Sequence, residues 1–318
     1  MMKNNLRLNT TIIEDAPIQA SMQHWVKMEC NQLSAGNIVG EIDILELDSL
    51  KLVRESQIAT VQKIGVTSQN FCSLSYCTLD PKFRFTEQTK NAADTLFFLP
   101  ELIEYDILVP VGVQTTYVAL DQKTFIDNAR ILNPKQWEHP PKSLVALENE
   151  HQPIFKKTLE MWFKIAEESS AIDLSLKQSF LKKHLVDYLL QTITSSNIDL
   201  RPSYTERLSS FQTYHTARTY IEDQLNINIT PTIVSICKSA GVSERTLQYA
   251  FRTHVNMSPT AYLRLRRLNR VRVILQKSSP QETTVTHIAM RFDFLHLGRF
   301  ALDYKRIFHE SPSVTFNN

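Results

Sequence analysis

The N-terminal part of the chain alternates apolar and polar residues in a pattern that is typical of β-strands. From about Gly40 to Phe125, the segments EIDILELDSLKLVRE and QIATVQKIGVTSQNFCSLSY are rich in β-branched and aromatic residues. Turn signals interrupt this region at Ser68-Gln69-Asn70, Asp80-Pro81 and Leu99-Pro100. The pattern therefore predicts a small β-sandwich or β-barrel.

The hydrophobic period changes to that of α-helices after Glu150. Between Glu150 and Ser195, the segments IFKKTLEMWFKIAEE and LKQSFLKKHLVDYLLQTI predict two amphipathic helices. Residues 201–212 contain Pro202 and lack a clear period, which is typical of a linker. We therefore predict an N-terminal domain over residues 1–200 and a helical C-terminal domain over residues 213–318.

Capping residues mark the helix starts in the C-terminal part. Three pairs place an N-cap residue before a proline at the first helical position, namely Thr230-Pro231, Ser258-Pro259 and Ser311-Pro312. In the segment GVSERTLQYAFR, Ser243 is the predicted N-cap, and Glu244 lies near the positive end of the helix dipole.

One helical pattern occurs twice in this part of the chain. The first copy starts at Ile236 and reads ICKSAGVSERTLQYAFRTHVNMSP, and the second starts at Ile288 and reads IAMRFDFLHLGRFALDYKRIFHESP. The two copies align with an offset of 52 residues, which becomes 53 after one extra residue in the turn of the second copy. Each copy predicts a short helix, a tight turn and a second helix with buried residues at i, i+4 and i+8, namely Leu247, Phe251 and Val255 in the first copy and Phe300, Tyr304 and Phe308 in the second. This spacing predicts two helix-turn-helix units, over residues 231–256 and 284–308.

A long helix is predicted between the two copies. From Pro259 to Gln276 it would contain 18 residues and span about 27 Å. A helix of that length could hold two recognition helices about one DNA turn apart, roughly 34 Å.

The charge is distributed unevenly along the chain. The 318 residues are long enough for two domains, and 42% hydrophobic with 21% charged residues is ordinary for a soluble globular protein. Residues 201–318 contain 16 Lys and Arg against 8 Asp and Glu, whereas residues 1–200 contain 19 against 25. The basic C-terminal part therefore indicates a nucleic-acid partner.

Several classes of protein are disfavoured by what the sequence lacks. Its first residues include no apolar stretch long enough for a signal peptide, no run of about 18 apolar residues occurs, and its four cysteines form no CxxC pair. We therefore expect a cytoplasmic protein with reduced thiols. No histidine lies between His24 and His139, so a histidine-bound metal in the β-domain is not expected. Glycine-rich phosphate loops and catalytic motifs are also absent, so we do not expect an enzyme.

The C-terminal motifs resemble those of the AraC/XylS transcription regulators. The resemblance covers about Tyr214 to Thr315 and rests on GVSERTLQYAF, NMSPTAYLRLRRLNRVRVIL and FLHLGRFALDYKRIFHESPS. It implies an α+β multidomain fold. The N-terminal part would be a β-rich sensor and dimerisation domain, a cupin-like barrel or sandwich with added helices, and the C-terminal part an all-α domain with two helix-turn-helix units. It also implies an effector-responsive activator that binds double-stranded DNA and works with RNA polymerase.

Two segments look most like those of the ethanolamine-operon regulators of this family, namely HLGRFALDYKRIFHESPS and LSAGNIVGEIDILELDSLKLVRE. That narrower resemblance implies ethanolamine with a cobalamin as effector. The residues themselves identify neither a cofactor nor an effector, although a small molecule fits the family's plan. Two departures from the family pattern, Asp293 in place of a glycine and Leu302 in place of an arginine, predict that the second unit engages DNA less strongly.

The first unit presents a polar stripe that suits contact with DNA bases. Arg245, Gln248 and Tyr249 lie on one face of the predicted helix, and the family's base contacts fall on these positions. Arginine suits guanine and glutamine suits adenine, at about 1–3 kcal/mol of discrimination for each bidentate pair. In the second unit, His296 and Arg299 are the candidates for base contact.

Six further residues are predicted to contact phosphates. They are Ser243, Thr246, Arg252, Arg266, Arg270 and Lys305. The arginines of the long helix point all round it, so surface ion pairing and solubility are an equally good explanation for some of them. Arg272 is a candidate for an internal ion pair.

The N-terminal domain offers two less specific features. Six aromatic residues could line a ligand pocket or simply fill the core: Phe71, Tyr76, Phe83, Phe85, Phe97 and Phe98. Four residues of the second predicted helix fit either a homodimer seam or packing on the β-domain: Leu181, Leu185, Tyr188 and Leu189. A ligand-independent architectural DNA-binding protein and a DNA-tethered enzyme are the alternative functions.

Overall fold

The computed structural model describes residues 8–47, 49–89, 95–148, 152–168, 171–195 and 205–317. The N-terminal region contains twelve strands and five helices, and the chain is helical from Thr205 onward, within the described residues. The predicted α+β organisation, with a β-rich N-terminal domain and an all-α C-terminal domain, is confirmed.

Two antiparallel sheets form the N-terminal domain. The seven-stranded sheet, in the order β1-β3-β4-β11-β6-β9-β12, consists of β1 (Leu8–Ile13), β3 (Gly40–Leu47), β4 (Leu50–Gln57), β6 (Phe71–Cys77), β9 (Thr95–Leu99), β11 (Gln114–Asp121) and β12 (Val145–Glu148). The five-stranded sheet, in the order β2-β5-β10-β7-β8, consists of β2 (Lys27–Gln32), β5 (Val61–Val66), β7 (Arg84–Phe85), β8 (Gln88–Thr89) and β10 (Glu104–Val109). Strands therefore begin well before Gly40, where the sequence pattern placed the first of them.

The described helices fall into two groups. Those of the N-terminal domain are α1 (Ala16–Ser21), α2 (Gln122–Leu132), α3 (Pro134–Trp137), α4 (Gln152–Glu168) and α5 (Ala171–Ser195). Those of the C-terminal domain are α6 (Thr205–Asn226), α7 (Ile233–Ala240), α8 (Glu244–Val255), α9 (Pro259–Lys277), α10 (Val285–Arg291), α11 (Leu297–Phe308) and α12 (Pro312–Asn317).

The seven-stranded sheet is buried on both faces. One face packs against the five-stranded sheet through residues such as Val53 and Phe97. The other packs against the helices that follow the strands, where Leu52, Leu74 and Phe98 belong to the same core as residues of α2, α4 and α5. Burial on both faces explains why β9, with the sequence TLFFL, contains no exposed residue.

The segment predicted to be a linker is partly helical. Residues 205–212 form the start of α6, and Phe211 and Tyr214 lie in the core of the C-terminal domain. The ring of Tyr214 is 5.1 Å from that of Phe251 in α8. The prediction of a linker up to residue 212 is therefore wrong, because packing against α8 outweighs the weak local period. The rest of that linker, residues 201–204, lies outside the described residues.

The predicted helix caps are correct with one exception. Ser243 and Ser258 begin α8 and α9, and each hydroxyl accepts a hydrogen bond from the backbone N–H three residues later. In α7, the N-cap is Thr232 rather than Thr230, because Thr232 and Ser235 form a reciprocal capping box.

The internal repeat forms one continuous core. All six residues predicted to be buried at i, i+4 and i+8 in the two copies have at most 3% of their surface exposed. The helix between the copies, α9, has 19 residues and is therefore about 28 Å long. Leu33 and Leu108 of the N-terminal domain also belong to this core, so the two domains pack directly against each other.

Candidate DNA-binding surface and effector cavity

The first helix-turn-helix unit consists of α7 and α8 joined by a tight turn. Gly241 ends α7 with φ of 66°, a left-handed conformation that glycine adopts without the penalty of a Cβ atom. Ser243 then begins α8, where its hydroxyl accepts from the backbone N–H of Thr246. Backbone geometry thus fixes the direction in which α8 leaves the turn.

The recognition helix α8 has one buried side and one exposed side. The buried side contains three fully buried residues, Leu247, Ala250 and Phe251. The predicted base-contacting residues lie on the other side, where Arg245 is exposed and Tyr249 is 65% exposed. Gln248 is half-buried beside Glu244, whose Oε1 lies 3.4 Å from the amide Nε2. The packed N-terminal domain leaves this face open to solvent.

The second unit, α10 and α11, repeats this plan with a different turn. Asp293, which stands where the family pattern has a glycine, adopts φ of 55°. Aspartate is one of the few residues other than glycine that tolerate the left-handed region. The turn therefore keeps its geometry despite the substitution. His296 occupies the N-cap position of α11, although its side chain makes no capping hydrogen bond.

The exposed face of α11 is apolar at its centre and basic at its margins. Leu302 is 72% exposed, on the side of the helix opposite to the buried Phe300 and Tyr304. His296 and Arg299, the predicted base contacts of this unit, are exposed near the start of the helix. The two recognition helices therefore share a fold but present different chemistry to solvent.

Four of the six predicted phosphate contacts lie at exposed positions. Ser243 and Thr246 stand at the N-terminus of α8, and their hydroxyl oxygens are 3.0 Å apart. Free backbone N–H groups and the helix dipole make such an N-terminus favourable for a phosphate. Arg252 in α8 and Lys305 in α11 are also exposed. Their phosphate contacts remain predictions.

Arg266 does not belong to the DNA-binding surface. It is 1% exposed, and its guanidinium forms a two-point ion pair with Glu222 of α6, with Nε 2.5 Å from Oε1. Burial alone would lower the pKa of Arg266, but the nearby Glu222 carboxylate raises it above the usual range. The prediction that Arg266 contacts a phosphate is therefore wrong, because the side chain faces α6 rather than solvent.

Three other arginines of α9 also form ion pairs, and Arg264 pairs with Asp303 of α11. Arg272 contacts Asp15 at 2.8 Å and Glu310 at 2.6 Å, which confirms the predicted internal ion pair. Arg270 lies 3.5 Å from Glu222 but keeps 26% of its side chain exposed. Its phosphate contact therefore stays a prediction.

A buried polar cluster, which we call the Asp106 cluster, lies where the two domains meet. The carboxylate of Asp106 accepts hydrogen bonds from Arg84 at 2.7 Å and from Gln62 at 3.0 Å. Arg218 of α6 places its Nε 3.4 Å from the same carboxylate, an electrostatic contact without hydrogen-bond geometry. Burial alone would raise the pKa of Asp106, but Arg84 and Arg218 lower it. The carboxylate thus stays ionised between two arginines.

The same cluster reaches the recognition helix α8. The Nε of Arg84 donates to the backbone carbonyl of His254 at 2.9 Å, and the amide of Gln62 accepts from the hydroxyl of Tyr262 at 2.8 Å. Sequence analysis missed these residues. The available signal was a charged residue inside an apolar strand, as in the segments FRF and EYDILV, because charged residues are seldom fully buried without a partner.

A cavity of about 70 Å³ lies between the two sheets. Five of the six predicted pocket aromatics line it: Phe71, Tyr76, Phe83, Phe85 and Phe97. The ring of Tyr76 also packs against Phe155, with ring centroids 5.9 Å apart. Phe98 does not line the cavity, and its ring packs against Trp137 at 5.6 Å. The pocket prediction is therefore wrong for Phe98, because strand alternation turns its ring to the face opposite that of Phe97.

A buried ion pair forms the polar end of this cavity. Lys63 of β5 donates to Glu55 of β4, and both side chains are almost fully buried. The other carboxylate oxygen of Glu55 accepts from Gln19 at 3.0 Å and from Gln23 at 2.7 Å. Burial would raise the pKa of Glu55, but Lys63 and these amides lower it. The cavity is thus apolar with one charged, hydrogen-bonded wall.

The residues of α5 that could form either a dimer seam or a packing surface lie inside the chain where their side chains are described. Leu185 and Leu189 are fully buried in the core that joins α5 to the seven-stranded sheet. The ring of Tyr188 stacks on that of Phe155, with centroids 6.4 Å apart. Leu181 lies where side chains are outside the described residues. Of the two alternatives, packing on the β-domain is therefore the one that holds for Leu185 and Leu189, which are not available to a second chain.

None of the described helices combines the length and the apolar run that a membrane crossing requires. Within the same part of the chain, no three His, Cys, Asp or Glu side chains are grouped so that they could hold a metal ion.

The chain is similar to known transcription regulators. A family model described as a helix-turn-helix domain matches residues 236–318. A probable thc operon regulatory protein of Rhodococcus erythropolis is 39% identical over 82 residues, which cover 26% of this chain and 25% of that protein. The XylDLEGF operon transcriptional activator 2 of Pseudomonas putida is 30% identical over 146 residues, which cover 46% of this chain and 88% of that protein.

The similarity to solved structures is weaker. The AraC-like transcriptional activator CuxR is 12% identical, with a TM-score of 0.41 over 88% of this chain and 98% of its own, which is too low to support an argument. The chain spans only about a quarter of the length of the Rhodococcus protein, but nearly nine tenths of the Pseudomonas activator. The match to the Pseudomonas activator agrees with the two helix-turn-helix units and their connecting helix. The chain therefore belongs to the AraC/XylS family of helix-turn-helix transcription regulators.

Proposed function

We propose that this chain is a sequence-specific DNA-binding transcription regulator that places α8 in the major groove as its main base-reading element. The polar stripe of Arg245, Gln248 and Tyr249 on the solvent-facing side of a capped recognition helix carries this proposal. Arg245 suits the O6 and N7 atoms of guanine, and Gln248 suits the N6 and N7 atoms of adenine. Ser243 and Thr246 would position the helix through a neighbouring phosphate.

The second unit has a different role in this proposal. Leu302 is the most exposed large apolar side chain of α11 and would contact a thymine methyl group. Arg299 and Lys305, on either side of it, would anchor the helix to phosphates or to a base edge. The second unit would thus contribute anchoring and apolar contact, while most of the hydrogen-bonded base readout comes from α8.

Replacing Gln248 with alanine tests whether α8 makes most of the specific base contacts. We expect the variant to lose about 1–3 kcal/mol of discrimination at one position of an operator selected from random DNA by the wild-type chain. Arg299→Ala should lose less discrimination and weaken binding more uniformly across sequences. Competition binding against a panel of single-base operator variants measures both effects.

The matched control is Gln69→Ala, which makes the same change at an exposed turn of the N-terminal domain. It should bind every operator variant like the wild-type chain. Equal losses of base discrimination from Gln248→Ala and Arg299→Ala would contradict the unequal roles. No loss from either variant would contradict base reading by these helices.

We also propose that a small-molecule effector binds in the cavity and changes DNA binding. The five-stranded sheet separates the cavity from the C-terminal domain, and neighbouring residues of one strand face opposite sides of it. Three strands carry such pairs, with the cavity residue first: Lys63 and Gln62 on β5, Tyr105 and Asp106 on β10, and Phe85 and Arg84 on β7. An occupant that moves these strands would therefore move the Asp106 cluster as well.

The cavity limits what this effector can be. A volume of about 70 Å³ suits a compact molecule of a few heavy atoms and is far too small for a cobalamin. The resemblance to ethanolamine-operon regulators therefore supports, for this cavity, only a small amine or alcohol. No cofactor is part of the proposal.

A thermal-shift screen of small amines, alcohols and organic acids tests the effector site. We expect a binder to raise the melting temperature of the full chain, and Ser73→Leu, which fills the cavity, to abolish that shift. Ser313→Leu, at an exposed position of α12, is the matched control and should keep the shift. A shift that persists in Ser73→Leu would place the binding site elsewhere.

The remaining parts of the proposal follow the family. Activation through RNA polymerase, a cytoplasmic location and the absence of enzymatic activity agree with relatives that are operon regulators. A homodimer would need a surface other than the buried leucines of α5. The alternative function is an architectural DNA-binding protein without a ligand, and an effector that changes operator affinity would rule it out.

A further inference from the structure

The N-terminal domain contacts the two recognition helices at equivalent positions of the repeat. The offset of 53 that aligns Phe251 with Tyr304 also aligns His254 with Ile307. Each of these two residues is the last but one of its helix, so its backbone carbonyl has no partner within the helix. Each carbonyl accepts hydrogen bonds from the N-terminal domain instead.

Arg84 makes the contact with the first recognition helix. Its Nε donates to the carbonyl of His254 at 2.9 Å, and its positive charge is favourable at the C-terminus of α8. The guanidinium is held by the carboxylate of Asp106 at 2.7 Å and by the carbonyl of Thr86 at 2.9 Å. Because every arm of this side chain is bonded, the end of α8 is fixed relative to β7 and β10.

Gln32 and Gly36 make the contact with the second recognition helix. The amide of Gln32 donates to the carbonyl of Ile307 at 3.1 Å, and the backbone N–H of Gly36 donates to the same carbonyl at 3.0 Å. The backbone of Gln32 is itself paired with the side chain of Asn269 in α9, at 3.3 Å and 3.1 Å. One end of β2 therefore joins both α9 and α11.

These two contacts originate from a single sheet. β2 and β7 are separated by β5 and β10, so the donors lie on strands about 14 Å apart at a strand spacing of about 4.8 Å. The sheet thus forms a second connection between the recognition helices, alongside the covalent one through α9. Of these two connections, only the sheet borders the effector cavity.

We propose that the five-stranded sheet sets the separation and relative orientation of the two recognition helices, and so determines which half-site spacing the protein accepts. The inference rests on the proposed function, in which both units contact one DNA duplex. Gln32 and Arg84 are then specificity-determining residues that touch no DNA. A change in the twist of the sheet changes the spacing preference rather than uncovering a hidden surface, since both recognition faces are already exposed.

The first test measures spacing tolerance. Operators selected by the wild-type chain are altered by one base pair, inserted or deleted, between the segments that α8 and α11 contact. We expect Gln32→Met, which removes the amide donor at nearly constant volume, to reduce the affinity penalty for altered spacing by about 2- to 10-fold. Gln69→Met is the matched control and should keep the full penalty. An unchanged penalty in a folded Gln32→Met variant would overturn the inference.

The second test needs no DNA. Spin labels at Thr253 of α8 and Arg306 of α11, both exposed, report the distance between the recognition helices in a Cys237→Ser background. We expect the distance distribution to broaden in Gln32→Met and in Arg84→Lys, which keeps the charge but loses the planar fork. Distributions as narrow as that of the wild-type chain would overturn the inference. A wild-type chain that prefers no operator over scrambled DNA would overturn the proposed function, whatever the distance distributions show.

Discussion

Replacing Asp106 with asparagine is expected to lower the free energy of unfolding by about 3–5 kcal/mol. The carboxylate lies between Arg84 and Arg218, and all three side chains are almost fully buried. Asparagine has nearly the same shape but no charge, so two buried guanidinium groups would lose their shared counter-ion. Removing one partner of a buried ion pair costs far more than the pair itself contributes, because the remaining charge stays desolvated.

Urea unfolding of the full chain, followed by circular dichroism, measures this loss. Asp127→Asn is the matched control, since Asp127 forms an exposed pair with Arg130 on α2. That substitution should change the free energy of unfolding by less than about 1 kcal/mol. A similarly small loss from Asp106→Asn would mean that water or rearranged side chains replace the carboxylate.

The stability of the protein should fall as the pH decreases from about 6.5 to about 4. Burial, reinforced by the positive charge of Arg84, lowers the pKa of His254 to about 4 in the folded chain. The unfolded imidazole has an ordinary pKa near 6.5 and binds protons more tightly, so acid favours unfolding across this window. A difference of this size corresponds to a loss of about 3 kcal/mol when the window has been crossed.

His254→Gln should remove most of this pH dependence. Besides the rings of Phe211 and Tyr214, the imidazole faces Arg84 of β7, Asp106 of β10 and Ser210 of α6, whose hydroxyl lies 3.1 Å from Nε2. Burial would raise the pKa of Asp106, but the arginines hold it low, so the carboxylate stays ionised across the window. The free energy of unfolding is measured in urea at several pH values. His287→Gln, at an exposed position of α10, is the control and should keep the wild-type slope.

Local patterns predicted the C-terminal domain well. Its helix starts depend on hydroxyl caps such as Ser243 and Ser258, which act within three residues. Its core depends on the helical period, which placed Phe251 and Tyr304 inside, where the structure has them. Both kinds of information are contained in short windows of sequence, so they could be predicted without knowing the fold.

The contacts between the domains could not be predicted in this way. Arg84, Gln62 and Arg218 reach Asp106 from positions 22, 44 and 112 residues away in the sequence. Arg266 had the spacing of a solvent-facing arginine, and only the approach of Glu222 from α6 makes it internal. The pocket aromatics divided for a similar reason, since strand register decides which face of the sheet each ring occupies. Such pairings depend on how whole elements are arranged.

The Asp106 cluster also limits how this regulator can be recombined with its relatives. A chimera that joins this N-terminal domain to another DNA-binding domain would leave Arg84 and Asp106 on a surface without Arg218 and Tyr262 to complete it. The converse chimera would leave Arg218 without the carboxylate of Asp106. An exchange of single domains between relatives would therefore have to carry both halves of this buried cluster together.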